Sequence, residues 1–412
     1  MPIDFTLTPE QQRLRADARA FARDVLANVA AATQDLPTPL ARFAATRPFY
    51  QQAVAAGFLR RMIPASLGGQ STGVVDMALL AEEFYAVDVN VSLTLLGTML
   101  GLFPILLGGT PQQMKRILDP FLSGEGTPLA AFAFSEPGGS ANFAAPPPAE
   151  GLRTQARLDG DHWVISGAKK WVSSGTGWDG KGADVLTVVC RTDPDALPDS
   201  GISIIAVHGP KDGIVLECAI DSVGHRAHLQ PQFRLNNVRT PVDNLIGPLG
   251  GGKELVEACF TGTAAIVGIF AVGLMRAAFD CALKFAKTEK RGGIVPIISH
   301  QAVGYLLADA KMSIEAVRAL SLRAACAFDT QTHDALELAL YAKVFGSETA
   351  VRVISDLMRV VGIESYNREL PLGGLLADAL VLPLFDGGNV GVRRRQLHEL
   401  MQMPDYDALP VM

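Results

Sequence analysis

A chain of 412 residues that is 49% hydrophobic, 19% charged and 7% aromatic is too apolar for a disordered protein. Its length fits two or three domains. Thirty-six basic and 42 acidic residues leave a net charge of −6, which excludes nucleic acid as the main partner. The five cysteines (Cys190, Cys218, Cys259, Cys281 and Cys326) are odd in number and widely spaced. Neither a disulfide framework nor a zinc site is expected, and a reducing compartment is. Charged residues precede the first apolar run, so no secretory signal is expected and the chain is read as cytoplasmic.

Residues 1–126 read as helical. Thr8-Pro9-Glu10-Gln11 places a Thr at the N-cap, Pro at the first helical position and Gln three after the cap. Leu14, Phe21 and Leu26 follow at near-helical spacing. Further helices are predicted near 48–58, 75–87, 91–108 and 111–123, broken at Gly68-Gly69 and Gly108-Gly109.

Residues 127–246 change character. Phe132 and Phe134 lead into Ser135-Glu136-Pro137-Gly138-Gly139, and Pro146-Pro147-Pro148 predicts a stiff loop. Thr154–Leu158 and Trp163–Ile165, joined by Asp159-Gly160-Asp161, predict a hairpin. Short strands follow at 185–190, 202–207, 214–218 and 232–235, so an antiparallel sandwich or barrel is expected. Residues 247–412 return to helix, with long segments near 251–288, 298–328, 333–362 and 389–402 that suggest a four-helix bundle. Ala258–Met275 carries no charge and reaches the lower edge of membrane-spanning length. It contains Thr261 and Thr263 and continues into an amphipathic stretch, so a buried bundle helix is expected and no membrane. The fold class is α+β: helix, then sheet, then helix.

Several motifs fail. Gly247–Lys253 matches GxxxxGK, but Glu254 follows where a phosphate-binding loop needs Ser or Thr. No GxGxxG follows a strand, and no GxSxG or HExxH occurs. His225 and His228 lie three apart without an evident third ligand, so no metal is expected. Asp386 stands out, between Phe385 and Gly387-Gly388 after an apolar approach. Glycines let backbone come close to a ligand, and the apolar flank would raise the carboxyl pKa toward general-base range. It reads equally as the N-cap of a helix starting at Asn389. Arg393 lies about two helical turns on and could share its side. Arg393-Arg394-Arg395 also reads as a solvated basic face.

Taken together, these segments resemble the acyl-CoA dehydrogenase superfamily. The family's flavin loop, T-E-P-x-A-G-S-D, has its counterpart in Ser135–Asn142. Its K-x-W-I-T-N-G strand is matched by Lys169–Gly175, and its R-x-F-G…Q segment by Arg291-Gly292-Gly293 with His300-Gln301. Its Y-E-G-T, which carries the catalytic Glu, is matched by Phe385-Asp386-Gly387-Gly388. The resemblance implies an N-terminal helical domain (1–126), a middle β-barrel or sandwich domain (127–246) and a C-terminal four-helix bundle (247–412). It also implies bound FAD and a homotetramer, a dimer of dimers in which neighbouring subunits complete the flavin sites. The residues it assigns to FAD are Phe132, Phe134, Ser135, Ser140, Ala141, Asn142, Trp171, Val172, Ser173, Arg291, His300, Gln301, Arg359, Gly387 and Gly388.

The departures point to one branch. Asp replaces the catalytic Glu and is about 1.5 Å shorter. The position where acyl-CoA dehydrogenases carry a CoA-holding Arg is Ala264, and the alternative Glu position is Thr263. Arg359 replaces an adenine-side Gln. Pro383–Asn389 running on to Arg393–Gln396, Arg42-Phe43 with Ala45–Tyr50, and Gly177-Trp178-Asp179 with Lys181–Asp184 resemble a branch whose members oxidise nitroalkanes. This likeness extends over residues 3–407.

It implies Asp386 as the base that takes the α-proton, Arg393 as its partner, Thr263 as a hydroxyl donor to it, and Ser173 beside flavin N5. The implied reaction converts neutral primary or secondary nitroalkanes to aldehydes or ketones through attack of the carbanion on flavin N5. Nitrite and hydrogen peroxide are released, and oxygen is the acceptor. The alternative is α,β-desaturation of a CoA thioester with Asp386 as base.

Overall fold

The computed structural model describes residues 6–146, 148–209 and 212–407. Pro147 of the expected stiff loop and the extreme ends of the first and last expected domains lie outside the described residues. In chain order the helices of the first part are α1 (Pro9–Asp24), α2 (Val29–Thr33), α3 (Pro39–Ala55), α4 (Val74–Tyr85), α5 (Val89–Gly108) and α6 (Pro111–Leu122). The middle part holds β1 (Ala130–Ala133), β2 (Gln155–Asp159), β3 (His162–Lys170), β4 (Val185–Arg191), the single-turn α7 (Pro198–Gly201), β5 (Ile202–His208), β6 (Ile214–Ala219), β7 (Pro231–Pro241) and β8 (Leu245–Ile246). The last part holds α8 (Gly252–Thr288), α9 (Gln301–Asp329), α10 (Ala335–Val361), α11 (Leu372–Ala379) and α12 (Arg394–Met401). A π-helical turn at Asn389–Arg393 leads into α12.

These elements group into two units. One contains the chain as far as Ala27, Gly73–Val89, and everything from Thr261 on; the other contains Asn28–Thr72 and Asn90–Phe260. In the second unit the strands follow the order β6-β7-β3-β2-β4-β5-β8, with β1 beside β4. The predicted hairpin forms, with Asp159 opposite His162. Most pairings are antiparallel as expected, but β1 runs parallel to β4, and β2 makes one parallel pairing with it. A parallel pair needs a long connection, and the β2–β3 hairpin lies within the one between β1 and β4. Strand β4 is buried along its whole length, which explains its run of consecutive apolar residues.

In the first unit α1 begins at the capping box read from the sequence: Thr8 and Gln11 exchange side-chain and backbone hydrogen bonds. Helices α8, α9 and α10 approach closely enough that small residues are required between them. A Cβ on Gly268 of α8 would meet Ser321 Oγ at 2.2 Å, and one on Gly346 of α10 would lie 3.1 Å from the Gly268 Cα. Charge is buried here too. Glu82 and Glu83 of α4 bind Arg276 of α8, and Glu82 also binds Arg318 of α9 at 2.9 Å. Among the described residues, α5 and α8 are long and apolar enough to cross a membrane, and each has 78% of that apolar window buried within the fold.

Among the helices that differ from expectation, two stand out. α3 starts at Thr38-Pro39, nine residues early, because Thr38 caps it and Pro48 is carried inside it. α11 was not predicted. Its glycines and short length hide the apolar period in Leu372–Ala379.

Candidate active site

Three segments of the first unit meet at Asp386. Thr263 comes from α8, Asp386 from the turn after α11, and Arg393 from the π-helical turn. Asp386 adopts φ 51°, a left-handed conformation uncommon for a residue with a Cβ, and Gly387 follows at φ 75°. The close approach explains the glycine: a Cβ at Gly387 would sit 2.7 Å from Arg393 Nε. That Nε donates to the Asp386 backbone carbonyl at 2.9 Å, and Nη2 donates to Oδ2 at 3.1 Å. Thr263 Oγ1 donates to Oδ1 at 2.7 Å. One guanidinium thus fixes the main chain and the carboxylate of the same residue.

The side chains of Arg393 and Asp386 are 2% and 7% exposed. Burial pushes the Asp386 carboxyl above the ordinary aspartate value; the charges of Arg393 and Lys343 and the Thr263 and Arg393 hydrogen bonds oppose the rise without cancelling it. A carboxylate held this way is a stronger base than a solvated aspartate. The helix-cap alternative fails on geometry. The N-cap of the π turn is Gly388, without a side-chain cap, and Arg393 N–H closes a five-residue loop on the Gly388 carbonyl. Such π turns recur at functional sites. Only part of the arginine run is a solvated face. Arg393 is buried, whereas Arg394 is half exposed and pairs with Glu348 at 2.6 Å.

Lys343 carries no motif, and Asn389, though it ends the Pro383–Asn389 segment, had no role assigned to it in the sequence. Lys343 lies on α10 among buried Ala339, Leu340, Gly346 and Ser347, so the one available signal was a lysine on an apolar helical stripe. Burial pushes its ammonium down to about 7, with Asp386 acting against that fall.

The second unit carries the residues assigned to the flavin loop and its neighbouring strand. The Lys170 N–H donates to the Ser135 carbonyl at 2.9 Å, which joins the loop to the end of β3. Glu136 anchors the loop from inside. It accepts from the Arg153 N–H at 2.8 Å, the Thr154 N–H at 3.0 Å, Thr154 Oγ1 at 2.5 Å and Lys169 Nζ at 2.9 Å. Lys169 is fully buried and donates also to the carbonyls of Phe134 and Val189. Lys169→Met would leave Glu136 as an uncompensated buried charge, a loss of about 3–5 kcal/mol. Thermal melting and flavin retention are both expected to fall, and melting at the wild-type temperature would contradict this.

Several features of this unit fit a bound flavin dinucleotide. The buried Oγ of Ser140 has no hydrogen-bond partner, nor have the hydroxyls of Ser174 and Thr176. A Cβ on Gly138 or Gly139 would meet nothing within 4 Å. Trp171 is 50% exposed, an unusual state for so large a ring, and Lys170 lies over it at 5.6 Å. Ser173 packs on α5, where a Cβ at Gly97 would lie 3.1 Å from its own Cβ. Val172 is buried and shapes the same strand end. Ala141 and Asn142 form the exposed turn of the loop, while the rings of Phe132 and Phe134 pack with Phe260 and Phe143. In the first unit, Arg291 donates to the Val361 carbonyl at 2.7 Å, at the end of α10. Arg359 lies in the last turn of α10 and pairs with Asp356. His300 and Gln301 open α9, both exposed.

The chain matches three family descriptions in order: acyl-CoA dehydrogenase N-terminal domain over residues 8–125, middle domain over 131–238 and C-terminal domain over 250–401. It is 44% identical to the nitroalkane oxidase of Podospora anserina, over 99% of this chain and 98% of that one. It is 38% identical to the nitroalkane oxidase of Fusarium oxysporum, over 98% and 96%. The solved structure of the Podospora anserina nitroalkane oxidase superimposes with a TM-score of 0.94, at 43% identity and 98% coverage of both chains.

Proposed function

The chain belongs to the acyl-CoA dehydrogenase family, among the nitroalkane oxidases, and from this we propose that it oxidises neutral primary and secondary nitroalkanes with FAD as its cofactor. The products are an aldehyde or ketone, nitrite and hydrogen peroxide. The observation that carries the proposal is the buried contact of Asp386 with Arg393 and Thr263.

A nitro group acidifies the carbon that bears it, so one carboxylate suffices to take the α-proton. Asp386 is that carboxylate. Its raised pKa brings its basicity toward that of the substrate carbanion, and its burial keeps water from competing for the proton. Arg393 holds the carboxylate in place through its guanidinium fork. Thr263 fixes Oδ1. Ser140, Ser173, Ser174 and Thr176 offer hydroxyls to the flavin. When bound, FAD supplies the two-electron oxidant and hands the electrons to oxygen. Ala264, beside Thr263, is fully buried and apolar, so α8 presents no cation there for a CoA phosphate. A homotetrameric, cytoplasmic protein is part of the same proposal. The odd number and wide spacing of the five cysteines support a reducing compartment.

Aerobic turnover of nitrobutane should release nitrite, hydrogen peroxide and butyraldehyde in equal amounts. Turnover without nitrite would contradict the proposal. Ser173→Ala should keep FAD bound but slow flavin reduction by up to about tenfold, since one such hydrogen bond is worth roughly 0.5–1.5 kcal/mol. Unchanged reduction in a stopped-flow measurement would remove Ser173 from the flavin environment.

A further inference from the structure

Lys343 sits on α10 with its side chain fully buried, yet nothing in the reaction outlined above uses it. A buried ammonium must find acceptors for its protons. Its Nζ donates to the Leu382 carbonyl at 2.9 Å and to Asn389 Oδ1 at 2.6 Å. These two acceptors flank Asp386, one before it in the chain and one after. Asn389 is held in turn: its Nδ2 donates to Ser347 Oγ and to Glu348 Oε1, each at 3.0 Å. Glu348 is clamped by both terminal nitrogens of Arg394, at 2.6 and 2.8 Å. The turn that presents the base is therefore gripped at both ends by one lysine, and the grip is braced by α10 and α12. The charges acting on Lys343 are those of Asp386, Arg393 and Glu348.

We propose that Lys343 is a positioning residue for the base: it clamps the Leu382–Asn389 turn from α10 and, as a cation, favours the ionised form of Asp386. The role rests on the nitroalkane reaction proposed above. Its sign follows from charge alone. A positive charge near a carboxyl stabilises the carboxylate, so removing it makes Asp386 harder to ionise and moves its titration to higher pH. Burial brings the lysine's own titration down to about 7, so its cationic form, and with it the support it gives the carboxylate, fades as the pH climbs past that value.

The test compares FAD-loaded wild type and Lys343→Gln over a range of pH, using nitroethane and, separately, its preformed nitronate. With nitroethane, the acid limb of kcat/KM should move up by roughly one pH unit in the variant. Oxidation of the nitronate, which has already lost its proton, should change far less. An unmoved limb, or losses of equal size on both substrates, would overturn the role. Asn389→Ala is the second variant, in case Lys343→Gln does not fold. It keeps the lysine and its bond to the Leu382 carbonyl but cuts the one to the far end of the turn, and should show the same selective loss on the neutral substrate. Wild-type rates on both substrates in Asn389→Ala would overturn the clamp. A wild-type enzyme inactive on nitroalkanes would overturn the proposed function and this role with it; an active one with an unmoved limb in the variant would overturn only the role.

Discussion

Asp386→Asn should lose at least ~10²-fold in turnover of neutral nitroalkane, the usual worth of a positioned base. The amide keeps the shape of the carboxylate and can still accept from Thr263, but it leaves the buried Arg393 without its counter-charge, so the melting temperature should fall while the folded variant still binds FAD. Supplying the preformed nitronate should restore much of the flavin reduction, because the step the variant cannot perform is already complete. The wild type should show the complementary pH behaviour. Its Asp386 titrates above the ordinary aspartate range, so kcat/KM for neutral substrate should fall on the acid side at a higher pH than a solvated Asp would give. That limb should be missing with the nitronate. A variant that oxidises neutral nitroethane at the wild-type rate would remove the base from the mechanism.

Arg393→Met should have the largest effect on both stability and activity. The guanidinium satisfies the carboxylate and the backbone carbonyl of Asp386, and its loss leaves both buried without that donor. Breaking one side of a buried ion pair typically costs about 3–5 kcal/mol. Part of that is relieved when Asp386 keeps its proton, and this fixes the sign of the pH dependence. The folded-state pKa of Asp386, already raised, would rise further, so the folded variant binds a proton that the unfolded chain has released. Its stability should fall as pH climbs from the unfolded Asp value, about 3.9, through the raised folded value. The melting gap to wild type should therefore be narrow in acid and widen toward neutrality. Arg393→Lys should recover the charge but not the fork, and with it only part of the activity. A pH-independent gap would mean that Arg393 acts on packing alone.

Much of this was legible in the chain because it rests on local chemistry. The Thr8–Gln11 box, the Asp159–Asp161 hairpin turn and the long apolar helices follow from short-range patterns, and the structure carries all three. Asp386 was conspicuous for the opposite reason: a carboxylate between a Phe and two glycines suits no ordinary helix or strand. What stayed hidden depends on distant segments. The parallel pairing of β1 with β4 joins residues about fifty positions apart, and no local pattern encodes it. Lys343 reaches Leu382 and Asn389 across some forty residues, and from its own neighbourhood it is simply a lysine in a helix. The split within Arg393-Arg394-Arg395, one buried and two partly exposed, arises from the π turn. That turn offsets the side-chain directions that a regular α-helical count would assign.

The chemistry as a whole is tested most directly by mixing the yellow, FAD-loaded protein anaerobically with nitroethane and, in a separate syringe, with butyryl-CoA. The nitroalkane should bleach the flavin absorbance within a single turnover, and the thioester should leave it unchanged. Bleaching by butyryl-CoA alone would contradict nitroalkane oxidation and make Asp386 the base of an acyl-CoA dehydrogenase.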